Sequence, residues 1–210
     1  MNLTARDEQI FWTLTHRLRL LSVRQVARTW WKTNHPASAV SRLRQLADAG
    51  LVEVENVMAH PEVQLAAPVL AWQPGDDEPD FGAVAYRLKS RWTKAPIPTP
   101  LVHATRAAVG MFGGYTGGRG PRPSEATHDL HLAQVFLSLQ AGDPQLAKRW
   151  VSENELYADG RGRNERLPDA LIRGRRAGEP PRIVEFGGSY SKAKLADFHR
   201  ELSANSYEIW

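Results

Sequence analysis

The 210-residue sequence predicts an α+β protein of two units. The first is three amphipathic helices followed by strands, and the second runs α, β, β, β, α, β. Two observations predict this. Hydrophobic spacing is helical through most of residues 5–50 and alternating after Gly50, and stretches rich in Pro and Gly separate that half from a second run of helix and short strands. Composition agrees with a folded soluble chain: 42% of residues are hydrophobic and 24% charged. No apolar run approaches the roughly 20 residues of a membrane span. The absence of Cys excludes disulfides, thiol nucleophiles and thiolate metal sites. The opening MNLTARDEQI lacks the charged-then-apolar order of a secretion signal, so a cytoplasmic location and no membrane partner are expected.

Charge is unevenly distributed. Residues 1–50 carry eight Lys+Arg against three Asp+Glu, and the remainder carries nineteen against twenty, so the net charge of +4 resides in the first fifty residues. A localised positive field suits a polyanion.

In Ala5 to Leu21, Ile10, Phe11, Leu14, Leu18 and Leu21 recur at helical spacing, with Thr4 as N-cap and Asp7 and Glu8 in the first turn. Ser22 caps a second short helix, Val23 to Trp31, with Val23, Val26, Ala27 and Trp30 on one face. Pro36 opens a third, with Val40, Leu43, Leu46 and Ala47 as the buried stripe and Gly50 as its stop. Leu51 to Val57 alternates like a strand, and Val63 to Trp72 is the next apolar run, closed by Pro74-Gly75. The order is that of a winged helix-turn-helix. Its third helix would read duplex DNA with Ser38, Ser41, Arg42 and Gln45, while Arg24, Arg28, Lys32 and Arg44 would hold the backbone. Such modules also dock proteins, so a solvated face is the plainer alternative.

Phe81, Val84, Ala85, Leu88 and Trp92 form a fourth helical stripe, expected to pack on the wing. TKAPIPTP, whose three prolines are expected neither to join a ladder nor to continue a helix, and GGYTGGRGPRP bracket a boundary. The domains are therefore expected at 1–95, with a mobile linker at 96–124 and a second domain at 125–210. The glycine-rich stretch lacks the Lys-Ser/Thr ending of a phosphate loop.

The second domain starts with a heavily apolar helix, Ala126 to Gln140. Candidate strands follow at Trp150–Leu156, LPDALIR and RIVEFG, with a polar loop before LPDALIR, then a helix capped by Ser191 and a last strand at Tyr207–Trp210. If LPDALIR and RIVEFG form a hairpin centred on Ala177, Asp169 lies opposite Glu185 on one face. Facing carboxylates call for a cation between them, such as Mg2+ or Mn2+, or for an Arg partner such as Arg173 or Arg182. His128, Asp129 and His131 on the apolar helix add acid and imidazole. A His pair without a third placed ligand does not define zinc.

The αβββαβ order, with Pro168-Asp169 and Glu185 on consecutive strands, resembles the core of the PD-(D/E)XK nuclease superfamily, a restriction-endonuclease-like fold. With the winged helix in front, the chain is similar to the replication-relaxation family of plasmid and mobile-element proteins, through "THDLHLAQVFLSL", "LPDALI" and "IVEFGGSYSKAKL". The resemblance implies Asp169 and Glu185 as metal ligands and catalytic residues, with Asp129 as an additional acid and the Phe186 carbonyl as a further ligand. It also implies a Lys two residues after Glu185, where this chain has Gly187. Lys192 or Lys194 on the next helix are the candidates to replace it. Three functions follow: a DNA-binding protein of a mobile element with a nuclease-like domain, a Mg2+-dependent DNA endonuclease, and a regulator or assembly factor, such as a homodimer, whose C-terminal domain makes protein contacts.

Overall fold

The computed structural model describes residues 2–162 and 166–210; part of the polar loop expected before LPDALIR lies outside them. Helix α1 (Ala5–Trp12) starts at a reciprocal cap, in which the Thr4 hydroxyl accepts from the Asp7 N–H and the Asp7 carboxylate accepts from the Thr4 N–H. It ends five residues later in a π-helical turn, Thr13–Arg17, closed by the Leu18 N–H on the Thr13 carbonyl. The helix is therefore shorter than its apolar spacing suggests, and Leu21 enters a strand, β1 (Leu21–Ser22). Ser22 and Gln25 repeat the reciprocal cap for α2 (Val23–Val26), which also widens into a π turn, Ala27–Trp31. Helix α3 (Ala37–Asp48) follows Pro36. Its buried stripe is Ala39, Leu43 and Leu46, and Val40, expected inside, is exposed.

Strand β2 (Val52–Ala59) follows as expected, but its partner differs from the one expected. Within the run Val63–Trp72, only Leu70–Trp72 is strand (β3), and it pairs in the other sheet, not with β2. After α4 (Phe81–Ser90) comes β4 (Ile97–Ala104), in the segment expected to be a linker, and it pairs along the whole of β2 from Val52↔Ala104 to Ala59↔Ile97. Prolines were expected to bar this stretch from a ladder. Pro98 and Pro100 stand two residues apart, so both lack their N–H on the same side, and that side faces away from β2. Strand β1 pairs only with Leu101 and Val102, beyond the prolines. The first sheet is thus β1-β4-β2, antiparallel throughout.

The chain continues through α5 (Arg106–Phe112), α6 (Pro123–Gly142), α7 (Pro144–Lys148), β5 (Trp150–Ser152), α8 (Glu153–Ala158), β6 (Ala170–Ile172), β7 (Arg182–Glu185), α9 (Lys192–Leu202) and β8 (Tyr207–Ile209). The expected strand Trp150–Leu156 stops at Ser152, whose hydroxyl accepts the Glu155 N–H and starts a helix. The second sheet has the order β3-β8-β7-β6-β5, with β7 and β8 parallel and the other pairs antiparallel. Its β6–β7 register, Ala170↔Val184 to Ile172↔Arg182, is the one expected for a turn centred on residue 177.

Period-two alternation divides this sheet between two cores. Trp150, Ala170, Ile172, Val184 and Phe186 face α6 and share a core with Ile10, Phe11 and Leu14 of the N-terminal helix. Leu171, Ile183, Tyr207 and Ile209 face Val84 and Leu88 of α4 and Leu195 and Phe198 of α9. Helix α4 therefore packs against α9 and the second sheet, where a wing contact was expected. The expected boundary near residue 95 is crossed twice, by β3 joining the second sheet and by β4 joining the first. The molecule is mixed α+β, and no helix among the described residues is long and apolar enough to cross a membrane.

The glycine-rich stretch is also held in place. The Tyr115 and Thr116 N–H groups donate to the Thr15 carbonyl, and the Gly118 N–H donates to that of Ala104. Gly114 adopts φ +111°, and a Cβ there would overlap the Thr15 carbonyl. Gly114→Val is expected to lower unfolding stability by about 3 kcal/mol, read as the urea midpoint; an unchanged midpoint would mean that this segment does not contribute to the fold.

Candidate functional site

Asp169 immediately precedes β6 and Glu185 ends β7, so the ladder places them opposite one another. The Asp169 N–H donates to Glu185 Oε2 at 3.4 Å, and the Phe186 N–H donates to Asp169 Oδ2 at 2.7 Å. Glu185 Oε1 accepts from Tyr190 Oη at 2.6 Å and from Arg166 at 3.0 Å. Burial, and then the charge of Asp169, push the Glu185 carboxyl up to about 7. Neither Arg173 nor Arg182 serves the pair, because Arg173 binds Glu155 and Arg182 binds Glu208.

The first turns of α6 bring a second acid. Asp129 is buried, and His128 lies between it and Asp169, with Nδ1 3.2 Å from Asp129 Oδ1 and Nε2 2.9 Å from Asp169 Oδ2. Burial opposes charge on this ring, but hydrogen bonds to the two carboxylates and their charges override it and hold the pKa up at about 10. His128 is therefore an imidazolium. Arg19, from the turn between α1 and β1, reaches the same cleft. It lies 2.6 Å from Glu153, 3.7 Å from Glu125 and 4.0 Å from Asp129. Burial raises the Glu153 carboxyl, with Arg19 acting in the opposite sense. Arg19, His128, Asp129, Glu153 and Asp169 line a cavity of about 30 Å³, close to the share of one water molecule in the liquid.

Four carboxylates thus meet three protein cations, His128, Arg19 and Arg166. A divalent ion on Asp129, Asp169 and Glu185 does not fit this arrangement. One oxygen from each cannot be chosen so that all three lie within 4.8 Å of one another. Both Glu185 oxygens and Asp169 Oδ2 already accept protein hydrogens. The cations found beside these acids come from within the chain.

The position where the resemblance implies a lysine, Gly187, is crowded by apolar side chains. Gly187 lies on the face of the sheet covered by α4 and α9, and a Cβ there would stand 2.8 Å from Leu88 Cδ1 and 2.9 Å from Ile209 Cγ2. Lys194 Nζ sits 3.6 Å above the Tyr190 ring, one residue removed from Glu185, and Lys192 is exposed at the start of α9. Among the described residues, neither lysine forms an ion pair with Asp169 or Glu185.

The expected DNA-reading residues divide into two groups. Ser38, Ser41, Arg44 and Gln45 are exposed on α3, and Arg24 and Lys32 are exposed around α2. Arg42 instead grips buried Asp7, with Nε 3.1 Å from Oδ1 and a terminal nitrogen 2.7 Å from Oδ2, and it also bonds the Asn2 carbonyl and Gln45. Arg28 pairs with Glu62 and Gln134. Both act as brackets between elements. The sequence reading missed Arg19, Arg166, Glu153 and Tyr190, whose roles arise only when separate elements converge; His128 was noticed, but as a weak ligand candidate.

A separate cluster stands on the first sheet. Glu53 and Glu55 of β2 and His103 of β4 bring one ligand atom each within 4.8 Å of one another, and His103 Nε2 lies 3.0 Å from Glu55. This donor set could hold a metal, and nothing in it selects which one.

Comparison of the chain with protein-family models gives no match, and comparisons with curated proteins and with solved structures give none either.

The imidazolium leaves a measurable trace. An exposed ring releases its proton near 6.5, and the folded ring near 10. Its contribution to stability is therefore complete below about 6.5 and is lost as pH rises through about 10. The loss of urea stability between those pH values is expected to be smaller in His128→Asn than in the parent chain; parallel pH curves would show that the ring carries no such charge.

Proposed function

We propose that this chain is a DNA-binding protein of a plasmid or mobile element, in which the N-terminal unit docks on duplex DNA as a winged helix and the nuclease-like unit does not cut. The observation that carries the reading is the outward face of α3, where Ser38, Ser41, Arg44 and Gln45 are exposed and Arg44 has no carboxylate partner among the described residues. Around it the order α1, β1, α2, α3, β2, β4 closes on the antiparallel sheet β1-β4-β2, the arrangement a winged helix uses to present its third helix to a major groove. Arg24 and Lys32 stand nearby as phosphate partners.

The C-terminal element order supports a nuclease-like core, with antiparallel β5, β6 and β7 followed by a helix and the parallel strand β8. Phosphodiester cleavage in such a core needs a cation at the reacting phosphate and a positioned water. Here the acids are neutralised by His128, Arg19 and Arg166, and the side of Gly187 where a lysine would stand is filled by Leu88 and Ile209. Those two features favour binding over hydrolysis. In this reading the second unit buttresses the first and adds surface for DNA or for a partner, including a second copy of the chain.

Arg44→Ala combined with Gln45→Ala is expected to weaken duplex binding by about 2 kcal/mol, roughly thirtyfold, in a fluorescence anisotropy titration. Unchanged binding would move the footprint off α3. Arg42→Ala is expected to act through stability, lowering it by about 3 kcal/mol because Asp7 stays buried without its partner. Purified protein with Mg2+ or Mn2+ is expected to leave supercoiled plasmid intact; nicking that disappears in Asp169→Asn would establish the endonuclease reading instead.

A further inference from the structure

The end of α4 and the turn beyond it, RLKSRWTK over residues 87–94, hold Arg87, Lys89, Arg91 and Lys94 and no acid. None of the four forms an ion pair among the described residues. Three are exposed, and the helix C-terminus favours the cations of its last turn. Arg91 differs from them. Its Nε and one terminal nitrogen are shut off from solvent with no hydrogen-bond partner, and the other terminal nitrogen has only a 3.5 Å contact to the Gly188 carbonyl. Its guanidinium lies 4.4 Å from the Phe186 ring centre and 5.1 Å from that of Trp92. Burial pulls its pKa down to about 10.

A buried guanidinium without a carboxylate is costly, and stacking on two rings returns only part of that cost. The fold nevertheless holds Arg91 at the wall of an open pocket of about 330 Å³, together with His60, Gln64, Trp92, Thr93 and Lys94. The pocket is rigidly framed. His60 Nδ1 is 2.7 Å from the Lys94 carbonyl, its ring packs at 4.8 Å against Trp92, and the Trp92 indole donates to the Gly188 carbonyl at 3.3 Å. The one acid on its wall, Glu62, is turned to Ser22 and Arg28.

We propose that Arg91 and Lys94, with His60 beside them, form a seat for one backbone phosphate of nucleic acid. A phosphate would supply the counter-charge that the guanidinium lacks and use the Lys94 ammonium as a second contact. The seat lies in the 37 residues between β2 and β4, which in this chain dock on the second sheet instead of forming a free flap. It gives that insertion a phosphate-holding role of its own. The phosphate chemistry stands on the pocket alone; its assignment to nucleic acid rests on the DNA-binding reading.

The test uses the full-length protein and two probes. Inorganic phosphate is titrated while the Trp92 indole N–H is followed by NMR, with the signal assigned through Trp92→Phe. A saturable shift is expected in the parent, with affinity about tenfold weaker in Arg91→Gln and about threefold weaker in Lys94→Gln, an exposed change that leaves the fold intact. No shift, or a shift equally strong in Arg91→Gln, overturns the proposal. A short duplex is then titrated between about 50 and 200 mM salt. The double variant Arg91→Gln, Lys94→Gln is expected to reduce the slope of log affinity against log salt by about 1. A phosphate shift dependent on Arg91, with an unchanged duplex slope, overturns the nucleic-acid assignment in favour of a small phosphate-bearing ligand. If the parent fails to bind duplex at all, the DNA reading fails; if duplex binding persists and still responds to Arg44→Ala but not to Arg91→Gln, this seat alone is refuted.

Discussion

The pairing of Leu70–Trp72 with Tyr207–Ile209 is a three-residue contact on which much of the remaining architecture depends. It takes a segment inserted between two strands of the first sheet and fastens it to the edge of the second. Once β3 is there, α4 must fall on the same face as α9, and Leu88 arrives against Gly187. The chain leaving α4 then crosses Phe186, so that Trp92 and Arg91 lie over that ring. Leu88 and Ile209 thus fill the space beside Gly187 with apolar contact. The packing of α4 on the second sheet and the enclosure of Gly187 are here one structural event.

The cleft at Asp169 and Glu185 obeys a related constraint. Four acids in a partly dry setting require compensating charge, and an isolated buried carboxylate is strongly disfavoured. Their cations come from three separate parts of the chain: Arg19 from the turn after α1, His128 from α6 and Arg166 from the loop before β6. Because Arg19 belongs to the N-terminal unit and the acids to the C-terminal one, charge balance also holds the halves together. The Ser152 hydroxyl on the His16 carbonyl and Arg17 on the Trp150 carbonyl and Glu155 reinforce the same seam. The same ion pairs that balance these acids therefore also link separate elements of the chain.

Local signals in the sequence were legible where the physics is local. The caps at Thr4, Ser22 and Ser191 each rest on a hydroxyl accepting an N–H three residues ahead. The β6–β7 register follows from turn symmetry and alternation, which place Asp169 opposite Glu185. What failed was non-local. Proline was read as a barrier, yet two prolines in phase leave one side of β4 free to pair with β2. The apolar run ending at Trp72 had the composition of a wing strand, and only the distant chain end reveals its partner. Arg42 looked like a reader because its helical phase is outward, but its length lets it turn back to Asp7. No short-range pattern in the sequence announces that contact.

The same distinction changes the meaning of the charge distribution. Four of the eight cations in the first fifty residues are consumed by carboxylates: Arg17 by Glu155, Arg19 by Glu153, Arg28 by Glu62 and Arg42 by Asp7. Arg6 lies over the Trp31 ring, which leaves Arg24, Lys32 and Arg44 as solvent-facing positive charge around α2 and α3. The run from Arg87 to Lys94, hidden in the nearly neutral remainder when charge is summed over residues 51–210, adds Arg87, Lys89 and Lys94 as further exposed charge without an ion pair among the described residues. Interactions with a polyanion depend on cations that retain their charge and accessibility, and internal ion pairs spend both. The positive surface of this protein is therefore set by which cations the fold leaves unpaired, and the third helix and the end of the inserted one are two of the places where they remain.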